Sequence, residues 1–199
     1  MQATGPARGI ESDASLVDRA RAGDFTAFEA LFERHRTLVF RFAYQMVGRS
    51  DDAEDMTQEV FVRAFQNLSR YRDQARFTTW LLKIASNLAA DRARSQGRRA
   101  VLEQQQVGEG LRWMTEARHE DPVENLENER MVQAVKAAMA SLSPAHREVL
   151  YLRDVAELEY KDVAEALGCT TGGAKLRALR ARKALRSRVS AILGEDAGE

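Results

Sequence analysis

Tyr160 to Arg186 reads YKDVAEALGCTTGGAKLRALRARKALR, and its two halves differ as sharply in charge as in periodicity. In the first half Val163, Ala164 and Leu167 fall at helical spacing on one face. Gly168 follows where a helix ends in a left-handed residue, a conformation glycine adopts without steric penalty. Beyond the turn come Lys175, Arg177, Arg180, Arg182, Lys183, Arg186 and Arg188 with no acid between them. Cations packed so densely repel one another unless a polyanion neutralises them. The stretch has the pattern of a helix-turn-helix whose second helix faces nucleic-acid phosphate.

Working outward, the 199 residues carry a formal net charge of +0 because acids and bases are segregated along the chain, not because they balance locally. Asp51, Asp52, Glu54, Asp55 and Glu59 form an acidic block, whereas Arg92, Arg94, Arg98 and Arg99 form a basic one. An acidic docking face and separate basic faces for nucleic acid would leave this signature. The single cysteine, Cys169, excludes an internal disulfide framework and fits a reducing cytoplasm. No apolar run is long enough to cross a bilayer, and MQATGPARGI lacks the hydrophobic core of a signal peptide. The expected location is therefore cytoplasmic.

Helical periodicity runs through most of the chain and predicts an all-α fold. Phe28, Leu31, Phe32, Val39, Phe42 and Met46 trace one face of a helix ending near Gly48. Ser50 or Asp51 is placed to cap the next helix, whose apolar stripe is Met56, Val60, Phe61, Ala64, Phe65 and Leu68. A polar loop over 69–76 precedes a third helix carrying Phe77, Trp80, Leu81, Ile84, Ala85 and Leu88 inward. Residues 100–128 are glutamine-rich and acidic, with glycines and Pro122, and read as a flexible linker. Helical spacing resumes at Met131, Val132, Val135, Ala138, Met139 and Leu142 and breaks at Ser143-Pro144, a cap followed by a first-turn proline. The resulting division is an extension with a first short helix over 1–24, a helical domain over 25–99, the linker, a helix-turn-helix domain over 129–190 and a tail over 191–199. Modules under about 80 residues lie near the lower size limit for independent stability, so partners are expected to help hold them.

Three blocks together carry a family resemblance: DDAEDMTQEVFVRAF (Asp51 to Phe65), FTTWLLKIASNLAADRARSQGRR (Phe77 to Arg99), and the stretch from Leu142 to Arg186 that begins LSPAHREVLYLRD. In this order and separation they resemble a bacterial sigma factor of the extracytoplasmic-function (ECF) type, in the sigma-70 family. A helix-turn-helix alone is shared by many unrelated regulators; the combination is specific. The resemblance implies a sigma2-like bundle and a sigma4-like helix-turn-helix, and a transcription initiation factor with no catalytic residues, metal or cofactor. Its implied partners are core RNA polymerase, through a coiled coil of the largest subunit and the flap, promoter DNA, and an anti-sigma factor, free or held at a membrane. In holoenzyme the chain would be associated with the nucleoid, and family members commonly serve stress responses.

By the same resemblance, polymerase docking falls to Asp52, Asp55, Gln58 and Glu59. Acids on a helix also serve simply as a solvated face favouring the helix N-terminus. Capture of the melted −10 strand would use Arg70, Arg72, Arg76, Lys83, Arg92 and Arg94 for phosphates, and Tyr71, Asn87 and Asp91 for the strand or its bases. Tyr71, in a polar loop, is expected to be exposed, whereas the spacing of Trp80 favours the core over a stacking role. The −35 duplex would meet Gly172, Gly173, Lys175, Leu176, Arg177, Leu179, Arg180, Arg182 and Lys183. Lys175 and Arg180 are the expected base or near-base contacts, with Arg177, Arg182 and Lys183 as backbone clamps. Gly173, Ala174 and Leu176 depart from the family's commoner threonine, valine and serine. Leu176 cannot hydrogen-bond to a base, and Leu179 either touches a thymine methyl or packs on a partner.

The histidines His35, His119 and His146 lack a second ligand at metal-binding spacing, and His35 reads as a satisfied core residue. Two other classes fit parts of the pattern: an ordinary duplex-binding regulator whose N-terminal half dimerises or binds a ligand, and a polymerase-binding interaction protein without promoter recognition. An enzyme using Asp51, Asp52 and Asp55 as metal ligands is a distant third, because no basic catalytic partner accompanies them.

Overall fold

The structure, a computed structural model, describes residues 11–72, 76–97 and 122–194. Among these residues it contains helices joined by turns and no strand. The first module comprises α1 (Asp13–Arg21), α2 (Phe25–Val47), α3 (Ser50–Gln66), a single tight turn at Leu68–Arg70, and α4 (Phe77–Gly97). Its helix ends follow local chemistry. The Asp24 carboxylate caps α2 by accepting from the amides of Thr26 and Ala27. The Thr26 hydroxyl and the Arg19 guanidinium hold that carboxyl down at about 2. Gly48 closes the helix at φ 78°, where a β-carbon would be strained. α3 departs from expectation: it starts at Ser50 with Arg49 in the cap position and no side-chain cap, so neither Ser50 nor Asp51 performs that task.

Apart from Phe65, which is exposed, the apolar stripes meet as the periodicity predicts. Leu31, Val39 and Phe42 of α2, Met56, Val60 and Phe61 of α3, and Phe77, Leu81, Leu82 and Leu88 of α4 are all buried. Phe32 and Phe61 pack edge to face with ring centres 4.7 Å apart. α1 lies across α2 and is tied to it by polar contacts at its start. Asp13 accepts from Arg34 and lies 2.8 Å from His35 Nε2, so the buried histidine is satisfied in the core. Burial holds the His35 imidazole below its ordinary pKa despite the nearby Asp13 charge.

The second module comprises α5 (Pro122–Ser141), α6 (Pro144–Leu150), α7 (Tyr160–Ala166) and α8 (Thr171–Leu193). Helix α5 begins at Pro122, inside the stretch read as linker, so the structured module starts earlier than its apolar spacing announced. The rest of that linker, residues 98–121, lies outside the described residues. Ser143 caps α6 by accepting from the His146 amide, with Pro144 in the first turn, as the sequence predicts. From Tyr151 to Val155 the helix widens to a π turn, closed by the Ala156 amide donating 2.8 Å to the Tyr151 carbonyl.

The modules do not stand apart. α6 packs on α2 and α7 packs on α4, so the apolar cores form one continuous cluster. The Tyr151 hydroxyl donates 2.9 Å to the Leu38 carbonyl, and its ring meets Phe42 edge to face at 5.5 Å. Burial of this phenol pushes its pKa up. Two polar pairs flank the seam: the Ser86 hydroxyl donates to Glu148, and Lys83 Nζ lies 3.5 Å from Glu165.

Candidate nucleic-acid and polymerase interfaces

The acidic helix α3 turns one face inward through Ala53, Met56, Thr57 and Val60 and leaves Asp51, Glu54, Asp55 and Gln58 exposed. The four expected docking residues separate into two kinds. Asp55 and Gln58 are exposed, and Asp55 has no ion-pair partner among the described residues. Asp52 and Glu59 are already engaged. Asp52 lies 3.4 Å from Arg49, while Glu59 accepts from Arg63 and, at 3.0 Å, from Arg92 of α4. These guanidinium hydrogen bonds outweigh partial burial and hold the Glu59 carboxyl below its usual range. Arg92, expected to face strand phosphates, also donates to the Asp52 carbonyl and so joins α3 to α4 instead.

Beside this face lies an apolar patch absent from the expected site. Phe25 is 72% exposed, and it stacks on Phe65 with ring centres 5.8 Å apart; Val62 adjoins it one turn earlier on α3. Phe65, read from the sequence as part of the inward stripe of α3, is instead 43% exposed, and Val62, three residues earlier, shares its outward face.

On α4 and the preceding loop, Arg70, Arg72, Arg76, Asn87, Asp91 and Arg94 are exposed, and Lys83 is half-buried against the second module. Arg70 lies 3.4 Å from the Asn67 side chain, and Asp91 pairs with Arg94 one turn later. Tyr71 corrects its expectation. It is only 6% exposed, with its ring centre 5.5 Å from Phe77 and 5.2 Å from Trp80, and Arg21 lies over its face. The Arg21 guanidinium also donates to the Tyr71 and Leu68 carbonyls, fixing the loop on α1. Trp80 shares this aromatic cluster, in keeping with its core spacing.

In the second module Gly168 adopts φ 60°, and the turn brings the Cys169 amide back to the Ala164 carbonyl. Thr170 then caps α8, its hydroxyl accepting 3.1 Å from the Gly173 amide. A β-carbon on Gly173 would stand 3.2 Å from that hydroxyl, so the unusual glycine fits the tight cap. Helix α8 buries only Ala174, Ala178 and Ala181, a narrow stripe that lets it lie close on α5, α6 and α7. The bulkier side chains of its N-terminal half consequently point outward. Leu176 and Leu179 are 46% and 65% exposed, flanked by exposed Lys175, Arg177, Arg180 and Lys183.

The cations of α8 are not equivalent. Arg180, Lys183 and Arg186 have no ion-pair partner among the described residues. Arg182, expected as a backbone clamp, is instead held by Asp154 through two hydrogen bonds and by the Tyr160 hydroxyl at 3.3 Å. The Asp154 contacts raise its pKa. Lys175 lies over the Tyr160 ring at 5.9 Å, on whose other contact, Arg153, the guanidinium carbon sits at 5.0 Å. Gly172 is exposed in the first turn. Among the described residues no cluster of His, Cys, Asp or Glu could hold a metal ion, and no helix is long and apolar enough to cross a membrane.

A basic α8 behind a tight turn, most of its cations unpaired, is carried on one helical module, and the other module presents an acidic outer helix. The Sigma-70 region 2 family model matches residues 31–99, and the Sigma-70, region 4 model matches residues 132–185. The chain is 30% identical to the ECF RNA polymerase sigma factor SigW of Bacillus subtilis over 87% of its own length and 94% of that protein. It is also 30% identical to the ECF RNA polymerase sigma-E factor of Escherichia coli, covering 92% and 96%. It therefore belongs to the ECF RNA polymerase sigma factors of the sigma-70 family. Its fold is similar to that of RpoE in complex with the anti-sigma factor NepR from Bartonella quintana (TM-score 0.63, 22% identity, 85% of this chain and 98% of that one). It is equally similar to CnrH in complex with the cytosolic domain of CnrY (TM-score 0.63, 24% identity, 94% and 100%).

Proposed function

We propose that the chain works as a non-catalytic, dissociable subunit of RNA polymerase, with α3 as the docking helix, the exposed part of α4 as the −10 strand surface and α8 as the −35 reader. The observation that carries this assignment is the unequal pairing of charge. Among the described residues Asp55 on α3 and Arg180, Lys183 and Arg186 on α8 have no ion-pair partner, and they are of opposite sign on different modules. A polymerase surface of basic character would meet Asp55 and Gln58, with the Phe25, Val62 and Phe65 patch providing apolar area beside them.

On α8 the geometry divides the work. Arg180, Lys183 and Arg186 offer charge to phosphates, Lys175 stands at the first turn near the base edges, and Leu176 and Leu179 present apolar surface suited to thymine methyl groups. Arg182 orients α8 through Asp154 and Tyr160. On α4, Arg72, Arg76 and Asn87 are exposed for a separated strand, and Tyr71 acts from beneath by supporting the loop. Promoter opening then draws on binding energy for the melted state. A separate anti-sigma protein, like those bound to the sigma factors of similar fold, would silence the chain by covering these faces.

Run-off transcription with bacterial core polymerase on a fragmented genomic library tests the assignment. Transcript starts that require the protein and share two upstream blocks at constant spacing are the expected result. Polymerase binding without such starts would reduce the chain to an interaction protein, and specific duplex binding without polymerase binding would make it an ordinary regulator.

A further inference from the structure

We propose that Arg21 of α1 is a positioning residue for strand capture: it clamps the turn from Leu68 to Tyr71 so that Arg70 and Arg72 face a separated −10 strand. This rests on the sigma-factor assignment above and extends the strand surface to α1, a helix outside both family matches, the first of which begins at residue 31. Arg21 stands in the stretch read from the sequence as an N-terminal extension, and Tyr71 is 50 positions further along the chain.

Every guanidinium nitrogen of Arg21 is engaged within the module. Nε donates 3.1 Å to the Leu68 carbonyl, one terminal nitrogen donates to the Tyr71 carbonyl, and the other lies 3.3 Å from the Asp18 carboxylate. The guanidinium carbon also stands 5.6 Å from the centre of the Tyr71 ring. The planar fork thus grips both ends of one turn, which the point charge of a lysine does not reproduce. Local bonds in the turn are few: the Arg70 amide donates 2.8 Å to the Asn67 carbonyl and the Tyr71 amide 3.2 Å to the Leu68 carbonyl. A turn this short takes its shape from what it is packed against. Beneath it the Tyr71 ring rests on Phe77 and Trp80. The Tyr71 backbone is extended at φ −63° and ψ 137°, so its neighbours project away from the buried ring, and Arg70 and Arg72 are both exposed. Holding Tyr71 inward therefore holds two cations outward. A strand that meets a preset pair of cations avoids the ordering cost that a loose loop incurs on binding. Because the donors of Arg21 are committed to the turn, its effect on the strand runs through Arg70 and Arg72 and not through a phosphate of its own.

The test uses holoenzyme reconstituted from core polymerase and the full-length chain carrying Arg21→Gln. Three affinities are measured: the chain for core polymerase, holoenzyme for a duplex bearing only the upstream block of the run-off starts, and holoenzyme for a fluorescent single strand bearing only the downstream block. Strand affinity should fall about tenfold, the order expected when two long side chains must be immobilised on binding, while the other two affinities stay within about twofold of wild type. The slope of log strand affinity against log salt should not change, since no phosphate contact is lost. A slope smaller by about 0.7 would make Arg21 a direct phosphate contact and overturn the positioning role. Arg21→Lys keeps the charge and the stem but lacks the fork, so it should recover little strand affinity, and it carries the same comparison if the glutamine variant folds poorly. Full recovery by lysine, undiminished strand affinity with glutamine, or equal loss of all three affinities would each overturn the clamp while leaving the assignment intact. Wild-type holoenzyme that binds the downstream block no better than a scrambled strand would overturn the −10 assignment itself, and the clamp with it.

Discussion

Helices α3 and α8 are both strongly charged, yet they handle charge differently. On α3 the acids nearest the module's interior are answered internally: Glu59 holds Arg63 and Arg92, and Asp52 faces Arg49. On α8 Arg182 is held by an acid in this way, whereas Arg180, Lys183 and Arg186 have no ion-pair partner among the described residues. The contrast teaches that a charged residue in a matching motif has two possible employers, the fold and the partner, and pairing distinguishes them. Within α3 it separates Asp55 from Glu59, and within α8 it separates Arg180 from Arg182.

The largest effect should come from Asp55→Arg. Its carboxylate has no ion-pair partner to lose, so the helix should keep its melting temperature while a basic partner surface now meets a like charge. Core-polymerase affinity should fall about 100-fold, about 2.8 kcal/mol at 1.4 kcal/mol per tenfold change. Glu59→Gln should weaken binding far less and lower stability by about 0.5 kcal/mol at most, because its partly exposed ion pairs are screened by solvent. Titrating fluorescent protein with core polymerase separates the two; equal losses would erase the distinction between paired and unpaired acids.

On α8, Arg180→Ala should weaken promoter binding several-fold and reduce the slope of log affinity against log salt by about 1, the signature of one lost phosphate contact. Arg182→Ala should leave that slope unchanged and instead lower the melting temperature, by an amount equivalent to about 1 kcal/mol or less. A salt series on holoenzyme, run beside thermal melts, measures both. Should Arg182→Ala lower the salt slope as much as Arg180→Ala, its bonds to Asp154 and Tyr160 would have to open on DNA.

Much of this division lay beyond the sequence, for physical reasons. Local signals were legible: Gly168 at φ 60°, the Ser143-Pro144 helix start and the apolar stripes of α2, α3 and α4 depend on nearest neighbours, which a sequence displays. Arg180 and Arg182 look alike in the chain, and only the π turn carrying Asp154 tells them apart. Tyr71 sits between two arginines and reads as exposed, but Phe77 and Trp80 one helix later enclose its ring. The seam had no local signal at all, because Tyr151 and Phe42 each looked like ordinary core of their own module. Resemblance pointed to particular helices for the functional surfaces; tertiary contacts divide the residues within them into paired and unpaired.

A smaller effect is expected at the start of α8. Thr170→Ala removes the hydroxyl that accepts from the Gly173 amide and should destabilise the helix start by about 1 kcal/mol, within the usual range for lost caps. In a module of this size that corresponds to a fall of roughly 4–8 °C in melting temperature. Thr170→Ser should recover most of it. If alanine were neutral, the paired glycines Gly172 and Gly173 would already leave this turn frayed, and the cap would contribute nothing to the reader.

The smallest predicted effect distinguishes the modules by pH. His35 is buried in the first module, and desolvation holds its pKa below the ordinary value near 6.5. As pH falls through 6.5 the unfolded chain takes up this proton while the folded chain does not, so the unfolded state gains. The stability contributed by neutral His35 is therefore complete above 6.5 and lost as pH drops toward the folded-state value. Glu11, Asp24 and Glu59, whose carboxyls are held low by hydrogen bonds and arginines, act in the same direction but only below about 4.5, where unfolded carboxylates begin to protonate. Thermal melts from pH 7.5 to 5.5 should consequently show a falling midpoint that His35→Gln abolishes. Parallel slopes for the two proteins would mean that Asp13, 2.8 Å from the ring, accommodates the charged imidazole within the fold, and the pH sensitivity would then have to arise outside the first module's core.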